Sequence, residues 1–299
     1  MHYGFIGLGN LGGRLALSLL KSGFSLTIFD KDEALCEPVQ AEGAMIAPDG
    51  EALAENVDHI ITCLPSPAIS RQVMQKCLPK MAAGASWIEM STISREDVIN
   101  FSEMAKNYNV EMLELPVTGG VHLAARGEIT MLAGGDKALF ELHYPALQAM
   151  GNKIFHIGPL GSAAVIKVIT NMLAFIHLVA DGEALMLAQK GGIDLDTAWQ
   201  VIAASSGNSF VHETEGQLIL NGSYNVGFTM DLALKDLGFA SQFSQEFGVP
   251  LNLVEKVKQI FEEGKNSYGG QAQSTQIVKL LEDALDTDLR ADGYPSQLE

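Results

Sequence analysis

The first thirty residues constrain the fold more than any other stretch. Residues 2–8 read as a short apolar strand and run into Gly7-Leu8-Gly9-Asn10-Leu11-Gly12. A helical pattern follows over 13–22, Gly23 stops it, and 24–30 (F-S-L-T-I-F-D) reads as a second apolar strand. Strand, G-x-G-x-x-G turn, helix and strand in this order form a unit that binds a dinucleotide. The glycines permit the tight turn and let backbone N–H groups at the helix N-terminus approach a pyrophosphate. Gly7, Gly9, Asn10, Leu11 and Gly12 are therefore candidate cofactor contacts, against the alternative of a glycine-rich turn without a ligand. Asp30 closes the second strand, close to where an acid holds the adenosine ribose hydroxyls. A carboxylate there repels a 2′-phosphate, so NAD is expected over NADP, although Lys31 beside it could tolerate the phosphate.

The alternation continues. A short helix over 52–56 precedes a buried strand over 59–64, which Pro65-Ser66-Pro67 breaks into a loop. A helix over 69–76 and a strand over 87–90 lead to Ser91-Thr92, a loop at a strand C-terminus, where ligands of doubly wound sheets sit. Then come a helix over 95–107, strands over 111–115 and 129–133, a helix over 136–150 and a strand over 153–157. Such alternation implies a parallel sheet covered on both faces. Pro116-Val117-Thr118-Gly119-Gly120 lies between two of the strands. A hydroxyl beside two glycines can present several N–H groups to an anion, or can be a plain turn.

Residues 161–192 predict a single long helix, with Ser162 as N-cap and Lys190 with Gly191-Gly192 as its end. Its first half is apolar almost all round, as in a helix buried on most sides, and the stretch reads as too short and too interrupted by polar residues for a membrane span. Lys167 and Asn171 lie four apart there, so both side chains face the same way. A lysine among Val165, Ile166, Val168 and Ile169 either snorkels to water or acts as an acid/base eased toward neutrality by burial. Beyond Gly192 strand alternation is gone, and helical stretches are expected over 195–206, 210–220, 230–247, 251–263 and 272–285. Lys235-Asp236 reads as a solvated charge pair, and the polar tail after Asp286 as loosely held.

Charge narrows the partners. Thirty-six acidic against 19 basic residues leave a formal charge of −17, which argues against nucleic acid and anionic membranes. An anionic substrate therefore needs a local site. Cys36, Cys63 and Cys77 show neither metal-ligand spacing nor a disulfide framework. No metal is expected, and a reduced, cytoplasmic setting fits.

Together these motifs resemble the β-hydroxyacid dehydrogenase family, which includes 3-hydroxyisobutyrate dehydrogenases and tartronate semialdehyde reductases. The likeness rests on G-F-I-G-L-G-N-L-G at the N-terminus, C-L-P at 63–65, S-T at 91–92 and P-V-T-G-G-V-H-L-A-A-R-G at 116–127. It continues with G-S-A-A-V-I-K-V-I-T-N at 161–171 and K-D-L-G-F-A at 235–240. The resemblance implies an α/β N-terminal Rossmann domain over 1–160, with a doubly wound, mainly parallel sheet. A long interdomain helix would join it to an all-α substrate and dimerisation domain within 161–299. It implies that Lys167 is the catalytic acid/base, that Asn171 helps hold the substrate, and that Thr118, Gly119 and Gly120 bind its carboxylate. Thr118 stands where the family usually has serine, and the added methyl narrows the pocket. Leu64, Pro65, Thr92 and Lys235 fall where family members touch the cofactor.

The implied activity interconverts a small β-hydroxyacid and its semialdehyde or ketoacid, in a homodimer or homotetramer. Thr170 stands where phosphogluconate dehydrogenases carry a histidine, and Lys167 stands where imine reductases usually replace the lysine. The competing class is a non-catalytic dinucleotide-binding scaffold or sensor. His122, Arg126 and His212 are candidate specificity residues, each also readable as ordinary polarity.

Overall fold

Strands come first, because they place the loops that matter. The computed structural model describes residues 1–298 and divides into two units, Met1–Lys167 and Val168 onward. The first contains β1 (His2–Ile6), α1 (Gly12–Lys21), β2 (Ser25–Phe29), α2 (Glu33–Ala41), β3 (Met45–Ile46), α3 (Gly50–Ala54), β4 (His59–Thr62) and α4 (Pro67–Cys77). It continues through β5 (Ser86–Glu89), α5 (Arg95–Lys106), β6 (Glu111–Glu114), β7 (Val117–Thr118), α6 (Val121–Ala125), β8 (Ile129–Gly134), α7 (Lys137–Met150) and β9 (Gly151–Gly158).

The strands make one sheet in the order β3-β2-β1-β4-β5-β6-β8-β7, with β9 paired to β8. β1 to β6 run parallel, and the order reverses between β1 and β4, the crevice where doubly wound sheets take ligands. Alternate residues leave opposite faces. Phe5, Ile28, Ile61 and Ile88 pack on one side with Leu15, Leu19 and Leu147. Ile6, Ile60 and Trp87 pack on the other with Leu53, Met74 and Phe101. Covered on both faces, β4 and β5 are buried throughout, their polar ends His59, Thr62, Ser86 and Glu89 included.

The sheet departs from the expected parallel pattern at one end. β8 runs antiparallel to β6 and to the short β7, in the register Val117↔Met131 and Thr118↔Thr130, and parallel to β9. Only the five-residue α6 separates β7 from β8, too little for a parallel crossover. The sequence reading also passed over α2, whose signal is the Asp32 side chain accepting from the N–H of Ala34 and which carries Pro38 in its interior.

α8 (Ser162–Lys190) begins in the first unit and continues into the second. There follow α9 (Leu195–Ala203), α10 (Phe210–Asn221), α11 (Met230–Phe247), α12 (Asn252–Tyr268) and α13 (Lys279–Leu285), the last preceded by a tighter turn over Ser274–Val278 rather than one continuous helix. In this unit Phe175 packs against Phe228 and Phe261 at ring separations of 6.0 and 5.5 Å.

Three expectations about these helices are corrected. Ser162 does not cap α8; its hydroxyl donates to the Pro159 carbonyl oxygen, and the buried Glu114 carboxylate takes the first-turn N–H groups instead. α8 is not buried on most sides of this chain: Ile169, Leu173 and Leu187 are 37%, 43% and 75% exposed. By length and composition it is long and apolar enough to cross a bilayer, although its Phe175, Leu178, Leu185 and Met186 are buried within the protein. The tail is also tied down. Leu289 is fully buried, the Arg290 guanidinium lies 2.8 Å from Glu282, and the Tyr294 hydroxyl donates to Asp196 at 2.8 Å.

Candidate active site

The glycines of the first loop each do something different. Gly7 sits at φ +96°, and a Cβ there would lie 2.3 Å from the Cys63 carbonyl oxygen. A Cβ on Gly12 would lie 2.0 Å from the Gly7 carbonyl oxygen, so α1 can approach β1 only because it starts with glycine. A Cβ on Gly9 would meet nothing within 4 Å, which leaves open space over the turn. Leu11, at the N-cap of α1, makes no side-chain cap, and the first turn holds no acid. By contrast α3, α4, α5 and α7 are capped by Asp49, Ser66, Ser94 and Asp136. An uncapped helix start beneath open space fits a pyrophosphate. Asn10 is exposed, and its carbonyl accepts from Arg14. Asp30 follows β2; its carboxylate accepts from the N–H of Leu8 at 2.7 Å and of Asp32 at 3.0 Å, which holds the glycine turn against the second strand.

Leu64 and Pro65 follow β4, and Thr92 follows β5, the next strand in the sheet. Sequence reasoning missed the group beneath them. Glu89 is 1% exposed. Its carboxylate accepts from the Ser91 N–H at 2.8 Å and the Thr62 hydroxyl at 3.0 Å, and the Ser91 hydroxyl in turn accepts from the Leu64 N–H at 2.8 Å. Burial pushes the Glu89 carboxyl up, against the lowering effect of these donors. The available signal was a glutamate at the end of an apolar strand two residues before the Ser-Thr pair.

After β6 the chain turns through Thr118, Gly119 and Gly120. Val117 and Thr118 form β7 rather than a plain turn, and the two glycines adopt φ +119° and +87°. A Cβ on Gly119 would lie 2.7 Å from Leu123 Cδ1, and one on Gly120 would lie 3.1 Å from the His122 ring. His122 therefore lies over the loop, and burial, helped by Arg126, holds its pKa below the usual imidazole value. Arg126 forms an exposed ion pair with Glu128 at 3.1 Å.

Lys167 lies six residues into α8 and is 8% exposed, so it does not snorkel freely into water. Glu114, also missed, holds the start of that helix. Its carboxylate accepts from the N–H groups of Gly161, Ala163 and Ala164 at 2.5, 3.0 and 2.9 Å.

In the second unit the Asn171 amide donates to Asp236 Oδ2 at 2.6 Å. Asp236 is 2% exposed, and Lys235 Nζ lies 3.3 Å from its other oxygen. Lys235-Asp236 is thus no solvated pair: the aspartate is a buried partner that fixes the amide of Asn171. The structure does not group His212 with these residues. His212 is buried against Asp181 at 2.5 Å and the Trp199 carbonyl at 2.9 Å. Burial lowers its pKa, but the bonds to Asp181 and Trp199 outweigh burial and raise it overall. Among the described residues no cluster of His, Cys, Asp and Glu could hold a metal ion.

Comparison with known proteins bears on the family of the whole chain. A family model described as the NAD binding domain of 6-phosphogluconate dehydrogenase matches residues 2–158. Another, described as NAD-binding of NADP-dependent 3-hydroxyisobutyrate dehydrogenase, matches residues 161–281. The chain is 33% identical to 2-(hydroxymethyl)glutarate dehydrogenase of Eubacterium barkeri, over 93% of this chain and 94% of that protein. It is 30% identical to L-threonate dehydrogenase of Haemophilus influenzae, over 92% and 93%. The crystal structure of a 3-hydroxyisobutyrate dehydrogenase from Salmonella typhimurium superposes with a TM-score of 0.87 at 31% identity, covering 94% of this chain and 99% of that one. Matched by these family models over both halves and by these relatives over nearly its whole length, the chain belongs to the β-hydroxyacid dehydrogenase family of NAD(P)-dependent oxidoreductases.

Proposed function

We propose that the protein oxidises a small β-hydroxyacid to its semialdehyde or ketoacid with NAD, and reduces the product in the reverse direction. The observation that carries this reading is Lys167, 8% exposed on α8, in a chain whose relatives over nine-tenths of its length are named as dehydrogenases. Those names also weigh against a non-catalytic scaffold.

When bound, the nicotinamide cofactor supplies the hydride acceptor. The protein's own groups do the rest. The N–H groups and hydroxyl of Thr118-Gly119-Gly120 hold the substrate carboxylate, and Asn171 holds the substrate hydroxyl end. Lys167 takes the hydroxyl proton as the C–H bond gives up its hydride, and returns that proton in reduction. Preference for NAD is supported by Asp30, whose carboxylate would repel a 2′-phosphate. Leu64, Pro65, Thr92 and Lys235 complete the proposed cofactor contacts. Three free cysteines suit a reducing, cytoplasmic compartment. The exposed Ile169, Leu173 and Leu187 on α8 support a homo-oligomer, checked by size-exclusion chromatography with light scattering.

A panel of hydroxyacids and semialdehydes, read by nicotinamide absorbance with NAD and with NADP, identifies the substrate and ranks the cofactors. Lys167→Ala should lower kcat by about 10²–10⁴, the range of general acid–base catalysis, with NAD affinity unchanged. Lys167→Arg should fail as well, because a guanidinium keeps its proton near neutral pH. An arginine variant retaining most of its kcat would make Lys167 a binding residue and overturn the assignment.

A further inference from the structure

The start of α8 is held in an unusual way. Five helices of the first unit take their caps from a side chain of their own N-cap residue: Asp32, Asp49, Ser66, Ser94 and Asp136. α8 is capped from another element, by Glu114 at the end of β6. Glu114 is 1% exposed, and burial pushes its carboxyl up while three backbone N–H groups pull it down. A serine at the N-cap would satisfy one of these N–H groups without desolvating a carboxylate. The surrounding chain is fitted to this arrangement. Gly134 faces the carboxylate, and a Cβ there would lie 2.1 Å from Glu114 Oε1. Gly161, which donates the shortest of the three bonds, sits at φ +93°.

The placement of Glu114 along the chain gives this cap a consequence. Four residues after it comes Thr118, the first residue of the carboxylate loop. On the helix side Ala163, one of its donors, lies one turn before Lys167, on the same face. One side chain therefore ties together the two parts that must meet one substrate: the loop that holds its carboxylate and the helix that carries the proton-transfer group.

We propose that Glu114 is a positioning residue, which sets Lys167 against the Thr118-Gly119-Gly120 loop. The proposal rests on the reading of Lys167 as the acid/base. Proton transfer is steep in distance and angle, and a misplacement of about 1 Å can cost about 100-fold in rate. In Glu114→Gln the amide NH₂ would face the Ala164 N–H, donor against donor, so the first turn of α8 must shift. In Glu114→Asp the charge remains but the reach is one methylene short.

The test is a double-mutant cycle on kcat with the substrate found in the panel. Glu114→Gln should lower kcat by about tenfold or more in the wild-type background, with the NAD dissociation constant unchanged. In the Lys167→Ala background, where there is no lysine to position, the same change should cost less than about twofold, because residues that act as a unit are not additive. An unchanged kcat for Glu114→Gln, or equal losses in both backgrounds, would overturn the proposal. If Lys167→Ala itself keeps full kcat, the Lys167 assignment fails first, and the route through it fails with it. Should Glu114→Gln not fold, Glu114→Asp enters the same cycle with the same expectations. If neither variant folds, Glu114 is a structural cap alone and the proposal falls.

Discussion

Single glycines should separate folding from the proposed cofactor binding in this protein. Gly9 and Gly12 belong to one motif, yet a Cβ on Gly12 would strike the Gly7 carbonyl at 2.0 Å while one on Gly9 would meet nothing. Gly12→Ala should therefore destabilise the N-terminal unit by several kcal/mol (about 3 or more), since backbone cannot yield as a flexible side chain can. Gly9→Ala should change stability by no more than a neutral surface substitution does, about 0.5 kcal/mol, but raise the NAD dissociation constant about tenfold or more. Thermal denaturation and a fluorescence titration with NADH distinguish the two. A Gly9→Ala variant that binds NADH normally would place the pyrophosphate elsewhere. The turn these glycines make was legible in the sequence because a tight turn leaves few chemical options. Those of Glu89, Glu114 and Asp236 were not, because a carboxylate reads as surface until its donors are known.

At the scale of elements, the tail gives the sharpest contrast. The run D-T-D-L-R-A-D-G-Y-P looks unstructured, and nothing local contradicts that. Its order comes from Glu282, 2% exposed, whose carboxylate accepts from the Leu289 N–H at 2.8 Å and from Arg290 at 2.8 Å. Arg290 also donates to the Tyr224 hydroxyl at 2.7 Å. Arg290→Ala would leave a buried carboxylate without its cation, and should destabilise the helical unit by about 1–3 kcal/mol, the lower end reflecting the partial exposure of the arginine. Guanidinium denaturation measures it. Arg290→Lys should recover only part, since one ammonium cannot serve both partners with the same fork. Unchanged stability in Arg290→Ala would show that the tail is held by Leu289 and Tyr294 instead.

At the scale of the molecule, stability should depend on pH through a buried network in the first unit. The Tyr3 hydroxyl lies 2.9 Å from His143 Nδ1, and the Ser86 hydroxyl lies 2.7 Å from both His143 Nε2 and His59 Nδ1. Burial, then the neighbouring His59, pulls the His143 pKa from 6.5 down to about 3. The unfolded chain therefore takes a proton that the folded one refuses, and stability falls as pH drops from about 6.5 toward about 3, by up to about 1.4 kcal/mol per pH unit. His212 works in the opposite sense: its raised pKa adds stability that is full below about 6.5 and is lost as pH rises through the folded value. Melting curves between pH 4 and 7 should show a slope that His143→Gln flattens. An unchanged slope in that variant would assign the acid sensitivity to other groups.

The sequence by itself determined the alternating α/β half, the helical half, the glycine loop and the spacing of Lys167 and Asn171. These are local properties, since periodicity, turn chemistry and the reach of one helical turn act over a few residues. Only the tertiary structure decided the antiparallel β8, the anchored tail and the carboxylates that hold the loops and helices in place. Glu114 reaches the start of α8 from 47 residues earlier in the chain, and Asn171 meets Asp236 across 65. No local pattern encodes such a pair: a buried charge is tolerable only where folding has already gathered its donors.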